Sequence, residues 1–318
     1  MTIPKALTVI LGSFLLVACS APEESGSSPG TDRPRVALVM KSLANEFFKT
    51  MEDGARTHQA QHVAGYDLLA MGIRDEVDVG GQIRLVEQAM AEGVDALVIA
   101  PADSKALIAI CQRAQEAGIV VVNIDNQLDS SVLAERELAI PFVGPDNAAG
   151  ARLVGAHLAS SLAPGDTVAI LGGVPGAFNA IERQRGFEEA MQAAGMEVVA
   201  SQSANWETAK ANQVAAALIT ELPGLDAFLC ANDSMALGVV AALKAAGKTG
   251  EIKVVGYDSI SAIQDLIKDG RVFATADQHA DQLAVFGIEF ALEMLKSGEA
   301  PADRETPVDL VTAESLGG

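Results

Sequence analysis

The chain has 318 residues, 49% of them hydrophobic and 20% charged, enough to bury a substantial core, so a chain disordered throughout is excluded. The formal net charge of −20 repels phosphate backbones and anionic head groups and rules out nucleic acid as a partner. Four histidines and three cysteines leave little material for a metal site, and aromatic residues make up only 4%, with Trp206 the single tryptophan.

Residues 1–18 carry one charge, Lys5, followed by an apolar run from Ala6 to Val17 that is too short for a permanent membrane span. This is the layout of a secretory signal peptide. The run ends in Leu16-Val17-Ala18-Cys19, a bacterial lipobox pattern in which Cys19 would receive the lipid and anchor the protein to a membrane. Residues 19–33 are rich in Pro, Gly, Ser and acids and read as a flexible tether. Of the other two cysteines, Cys111 falls in a helical pattern and Cys230 in an apolar strand, and two buried free thiols are expected.

From Arg35 onward, short β-branched runs alternate with amphipathic stretches. The strands expected include Val36–Met40, Asp67–Met71, Ala96–Ala100, Val120–Ile124, Val168–Leu171, Val198–Ser201, Ala227–Cys230 and Ile252–Tyr257. Between them the helical spacing covers Asn45–Gln61, Val79–Glu92, Ser104–Ala117, Ala148–Leu162 and Glu207–Glu221. Continuously apolar strands alternating with helices predict an α/β fold with parallel sheets covered on both faces. An internal echo favours two sheets over one: Gly93-Val94-Asp95-Ala96-Leu97 returns as Gly224-Leu225-Asp226-Ala227-Phe228, and the strands ending at Asp125 and Asp258 correspond.

In open α/β sheets ligands sit outside the C-terminal strand ends. Asp125 and Asp258 each follow an apolar run, so two facing lobes would bring them together across a cleft; each could instead only cap the element that follows. Asn45, Phe47, Phe48, Asn126 and Asn232 also fall at strand ends. Carboxylates and amides beside flat rings suit a neutral polyhydroxy ligand, because carboxylates accept from hydroxyls and aromatic faces cover the C–H surface of a sugar.

Ser42-Leu43-Ala44-Asn45-Glu46-Phe47-Phe48 resembles the first strand–helix junction of the ribose-type periplasmic sugar-binding proteins. Pro101-Ala102-Asp103-Ser104, Val143–Asn147, Arg183–Phe187, Ala231–Gly238, Val255–Asp258 and Pro307–Leu310 continue the resemblance in order, over about Arg35 to Val311. It implies the type I periplasmic binding protein fold: two Rossmann-like lobes with parallel sheets joined by a three-segment hinge, one lobe being 34–144 plus 279–308 and the other 145–278 plus 309–318. It also implies that Asn45 and Asp125 bond sugar hydroxyls, that Phe47 and Phe48 sandwich the ring, that Arg183, Asn232, Asp258 and Gln278 reach it from the second lobe, and that Trp206 covers it. Asn126 stands where ribose binders commonly carry an Arg that reaches the sugar, Ala100 where they can carry an Asn, and Trp206 where they have Phe. These departures leave pentose, hexose, ketose and polyol open.

The function implied is capture of a monosaccharide by a lipid-anchored, monomeric, extracytoplasmic protein that delivers it to an ABC-type permease, with no cofactor and no chemistry on the sugar. The alternative is a sensing role, in which the closed lobes dock on a chemoreceptor or sensor kinase. Enzyme motifs are missing from the α/β body: from Arg35 onward there is no Gly-x-Ser-x-Gly elbow, Walker loop or His-Glu-x-x-His helix. Gly172–Gly176 reads as a turn rather than a phosphate cradle, and His58 and His62, four apart on a helix, find no third metal ligand nearby. A sugar-responsive repressor would need a basic headpiece in place of the export signal.

Overall fold

The computed structural model describes residues 1–2, 33–63 and 65–317. The expected signal peptide, Cys19 and nearly all of the tether therefore lie outside the described residues. Among the described residues no helix is long and apolar enough to cross a membrane.

Twelve strands and ten helices alternate along these residues. The first sheet is parallel and six-stranded, built from β1 (Arg35–Ser42), β2 (Asp67–Ile73), β3 (Ala96–Ile99), β4 (Val120–Ile124), β5 (Phe142–Pro145) and β11 (Arg304–Thr306), in the order β11-β5-β4-β3-β1-β2. The second is parallel and four-stranded: β6 (Thr167–Gly172), β7 (Glu197–Ser203), β8 (Ala227–Cys230) and β9 (Lys253–Val255), ordered β7-β6-β8-β9. β10 (Thr275–Asp277) and β12 (Asp309–Val311) form a separate antiparallel pair. The internal echo thus corresponds to two sheets.

Burial explains the strand composition. In β1 every residue after Arg35 is buried, as a central parallel strand with helices on both faces requires, whereas the edge strand β2 is mostly half-buried. Five helices begin at an Asn or Asp whose side chain accepts a first-turn N–H: Asn45 for α1 (Glu46–Gln61), Asp78 for α2 (Val79–Ala91), Asp129 for α4 (Ser130–Glu135), Asp146 for α5 (Asn147–Ala159) and Asn232 for α8 (Asp233–Ala245). The remaining helices are α3 (Ile108–Glu116), α6 (Phe178–Ala194), α7 (Thr208–Glu221), α9 (Ser261–Lys268) and α10 (Ala280–Ser297).

Two expected elements are shorter in the structure. The helix foreseen from Ser104 starts at Ile108, because Asp103 Oδ1 accepts from the N–H groups of both Lys105 and Ala106 and holds a turn there. The strand foreseen to Tyr257 stops at Val255, where the chain swings into Asp258 and Ser259 at φ of 123° and 57°. Cys111 and Cys230 are buried free thiols, and burial alone pushes Cys111 up to about 12.

The chain passes between the sheets three times: from β5 into α5, from β10 into α10, which lies on β3 and β4, and from β11 into β12. His279 joins two of these crossings through a 2.8 Å contact from Nε2 to Asp309 Oδ2.

Candidate functional site

Nine of the ten residues singled out as ligand contacts line one cavity: Asn45, Phe47, Phe48, Asp125, Arg183, Trp206, Asn232, Asp258 and Gln278. Lys41, Glu76 and Asn179 complete its wall. The fold explains this convergence, since these side chains lie at or just beyond the C-terminal ends of strands or in the first two turns of the helices that follow.

The first sheet contributes an ion pair at the floor. Lys41, at the end of β1, places Nζ 2.8 Å from Asp125 Oδ2, both side chains being almost fully buried. The same ammonium lies 5.3 Å from the Phe48 ring centroid and 5.9 Å from that of Trp206, so the cation faces aromatic surface as well as the carboxylate. Phe47 and Phe48 meet edge to face at 5.0 Å. Asn45 accepts from the Phe47 N–H with Oδ1 and donates from Nδ2 to Glu76 Oε1 at 3.1 Å, so it caps α1 and lines the cavity at once.

The second sheet supplies a matching pair. Arg183 Nη1 lies 3.5 Å from Asp258 Oδ1, and Gln278 Nε2 donates to the same oxygen at 2.7 Å. The guanidinium is fixed by bonds to Asn147 Oδ1 and the Ala231 carbonyl and by stacking 3.7 Å from the Tyr257 ring centroid. Burial drives the Asp258 carboxyl up to about 8 against the opposing pull of Arg183. Glu76 is raised by burial to about 7, with Lys41 and Asn45 working the other way. Apart from Asp125 Oδ2, which has only the Lys41 ammonium, four buried polar atoms of the wall find no partner among the described residues: Asn179 Oδ1, Arg183 Nη2, Trp206 Nε1 and Gln278 Oε1. Donors and acceptors are both represented, as the hydroxyls of a polyol require.

The backbone is strained where the site needs it. Asp125, Trp206 and Asp258 adopt φ of 62°, 68° and 123°, in the region that favours glycine. Neither Asp caps a helix; both carboxylates belong to the cavity wall. The glycine run after β6 serves Trp206: a Cβ on Gly173 would lie 2.0 Å from the indole ring, so glycine there lets the ring settle against the backbone.

Asn126 departs from the expectation. One residue beyond the turn at Asp125, its side chain points away from the cavity and is used up within the protein: Nδ2 donates to the Pro101 carbonyl at 2.9 Å, and Oδ1 accepts the Asn179 N–H at 3.1 Å. Among the residues that sequence reasoning missed, Lys41 had a signal, a charge ending an apolar strand, and Asn179 stands one helical turn before Arg183. Glu76 lies in the polar stretch Arg74–Asp78, where nothing distinguishes it. Buried Asp233, the first residue of α8, accepts from Thr275 Oγ1 and the Ile260 N–H and braces the loop that carries Asp258. His58, weighed above as a metal ligand, is engaged with the Tyr66 hydroxyl at 2.8 Å.

Residues 36–300 match the family model described as a periplasmic binding protein domain. The D-ribose/D-allose-binding protein of Pseudomonas aeruginosa is 54% identical over 311 residues, covering 96% of this chain and 97% of that protein. The chain belongs to the ribose-type periplasmic sugar-binding proteins. Two solved structures agree with that membership. An ABC transporter solute-binding protein from Burkholderia multivorans, bound to a ligand of unknown identity, is 55% identical with a TM-score of 0.87, covering 88% of this chain and 99% of its own. A periplasmic solute-binding protein from Actinobacillus succinogenes with bound D-allose is 35% identical with a TM-score of 0.84, covering 89% and 99%. Members of the family are solute-binding proteins rather than enzymes, and membership puts the chain outside the cytoplasm. The sensing alternative finds no support among these relatives.

Proposed function

We propose that the protein captures a neutral aldose of the D-allose or D-ribose kind between its two lobes and delivers it to an ABC-type permease. The observation that carries this reading is the charge pairing inside an aromatic-walled cavity. Lys41 lies against Asp125 from one side and Arg183 against Asp258 from the other, and Glu76 adds a third carboxyl; two cations thus face three carboxyls, two of them raised by burial, and neither an anionic nor a cationic ligand is called for. Phe47, Phe48 and Trp206 offer faces for the C–H surface of a sugar ring, and the four unpartnered polar atoms offer bonds to its hydroxyls. Glu76, Lys41 and Asn179 join the contacts inferred from the sequence; Asn126 leaves them. The relative named for D-ribose and D-allose and the D-allose complex above support this class of sugar.

The lobes divide at the three crossings, as 34–144 plus 279–308 and 145–278 plus 309–318. Contacts made from both lobes exist together only when the hinge is closed, so a bound sugar favours closure. The protein acts as a monomer held to a membrane through lipid on Cys19, a reading supported by the Leu16-Val17-Ala18-Cys19 sequence.

The test is a titration of residues 20–318 with D-allose, D-ribose, other hexoses and pentoses, ketoses and polyols, followed by Trp206 fluorescence and melting. At about a hundred times its dissociation constant the right sugar adds about 2.7 kcal/mol of stability. Saturation by D-allose or D-ribose, lost in Asp258→Asn, is the expected result. Silence toward both, or undiminished affinity in the variant, overturns the reading of the ligand or of that residue.

A further inference from the structure

We infer that Ser104 and Asn126 are positioning residues that cap helix α6 from across the cleft and so hold the closed state together. The inference rests on the two-lobe capture reading above. Helix α6 follows β6 of the second sheet and starts after Ala177, whose side chain has no atom to accept a hydrogen bond. Its first two N–H groups are instead bonded by residues that follow strands of the first sheet. Phe178 N–H donates to Ser104 Oγ at 2.9 Å, and Asn179 N–H donates to Asn126 Oδ1 at 3.1 Å. A third bond, from Ser104 N–H to the Gly176 carbonyl at 3.1 Å, ties the same two loops together. Within the first lobe Ser104 Oγ approaches Asn126 Oδ1 at 3.4 Å and Asn126 Nδ2 holds the Pro101 carbonyl, so both acceptors are fixed in place before α6 arrives.

The clasp touches the cavity on both sides without entering it. Asn126 follows Asp125 directly, while Asn179 precedes Arg183 by one turn of α6, and Asp125, Asn179 and Arg183 all line the cavity. Separating the lobes would leave the start of α6 without acceptors, whereas closing them would complete a helix cap and align Asn179 and Arg183 with the ligand. Asn126 therefore affects sugar affinity through the closure equilibrium, not by contact.

The test compares wild type with Ser104→Ala, Asn126→Ala and Ser104→Thr, titrated with D-allose and D-ribose, with amide exchange followed at Phe178 and Asn179. Loss of one cap weakens both sugars by the same factor, about fivefold, whereas Ser104→Thr keeps the hydroxyl and the wild-type affinity. Sugar slows exchange of the Phe178 amide in wild type but not in Ser104→Ala. A change in the D-allose to D-ribose preference in Asn126→Ala would make that residue a sugar contact and overturn the clasp. Unchanged affinity together with unchanged exchange would overturn it as well. If wild type binds neither sugar, the capture reading fails on its own. The clasp is then judged by scattering from the sugar-free protein: a larger radius of gyration in Ser104→Ala supports it and an identical one refutes it.

Discussion

Glu76 is 2% exposed at the edge of the cavity, with Lys41 and Asn45 as its nearest polar company, and burial raises its carboxyl from 4.5 to about 7. Between those two values the folded protein holds a proton that the unfolded chain has released, so stability falls as pH rises through that interval. Glu76→Gln removes this one contribution. Urea unfolding from about pH 5 to about pH 7 is expected to show a flatter stability profile in the variant, by on the order of 1–2 kcal/mol across the range. A residual slope of the same sign persists in both proteins, because burial also raises Asp233 to about 7 and Asp258 to about 8. Identical slopes would mean that Glu76 is ionised in the folded protein throughout. The same residue shows where sequence reading stops: Glu76 owes its raised pKa to burial, with the Asp125 and Glu207 carboxylates acting in the same direction from distant parts of the chain, and nothing in Arg74–Asp78 encodes that.

At the scale of elements, α5 and α6 approach so closely that glycine is required between them. A Cβ on Gly186 would lie 2.3 Å from the Ala148 carbonyl oxygen and 2.9 Å from the Ala151 Cβ, and one on Gly155 would lie 2.8 Å from the Ala190 Cβ. Gly186 is helical, so alanine there would gain about 1 kcal/mol of helix propensity if space were available. The close approach outweighs that gain. Gly186→Ala should lower stability by about 1–3 kcal/mol, read as a drop in melting temperature, and should weaken sugar binding, because α6 carries Asn179 and Arg183. A stabilised variant would show that the two helices can separate freely. The elements themselves were largely legible. Hydrophobic runs and cap residues located eight strands and five helices to within a few residues, because burial on both faces and N-terminal capping are local demands written in consecutive residues. Local reading did not name α4, α6, α8, α9 and α10 or the short strands β5, β10, β11 and β12; of these, α6 has Ala177 before it, with no side-chain acceptor, and its first N–H groups bond to Ser104 and Asn126, which follow strands of the other sheet.

For the whole molecule, three crossings and a cavity shared by both sheets support the proposed hinge closure, and the proposed lipid on Cys19 would decide where that motion takes place. Cells expressing Cys19→Ser should release the protein from their membranes, where the unaltered chain is retained; membrane retention of the variant would refute lipidation at Cys19. The acidic surface, at −20 overall, leaves the paired charges of the cavity as an inward exception in a chain that otherwise repels anions.

The sequence by itself determined the α/β class, the repetition of the lobe, the carboxylates and amides at strand ends, and the rings set among them. Each of these follows from residue type and from periodicities that a strand or a helix imposes on its own neighbourhood. Only the tertiary structure decided which polar groups face the cavity and which serve the scaffold. Asp125 and Asn126 are adjacent in the chain, yet a backbone turn at φ 62° sends the first to the cavity wall and the second to the start of α6, which follows the other sheet. That division depends on the direction in which a side chain leaves the backbone and on partners more than fifty residues away, and neither is a property of the local sequence.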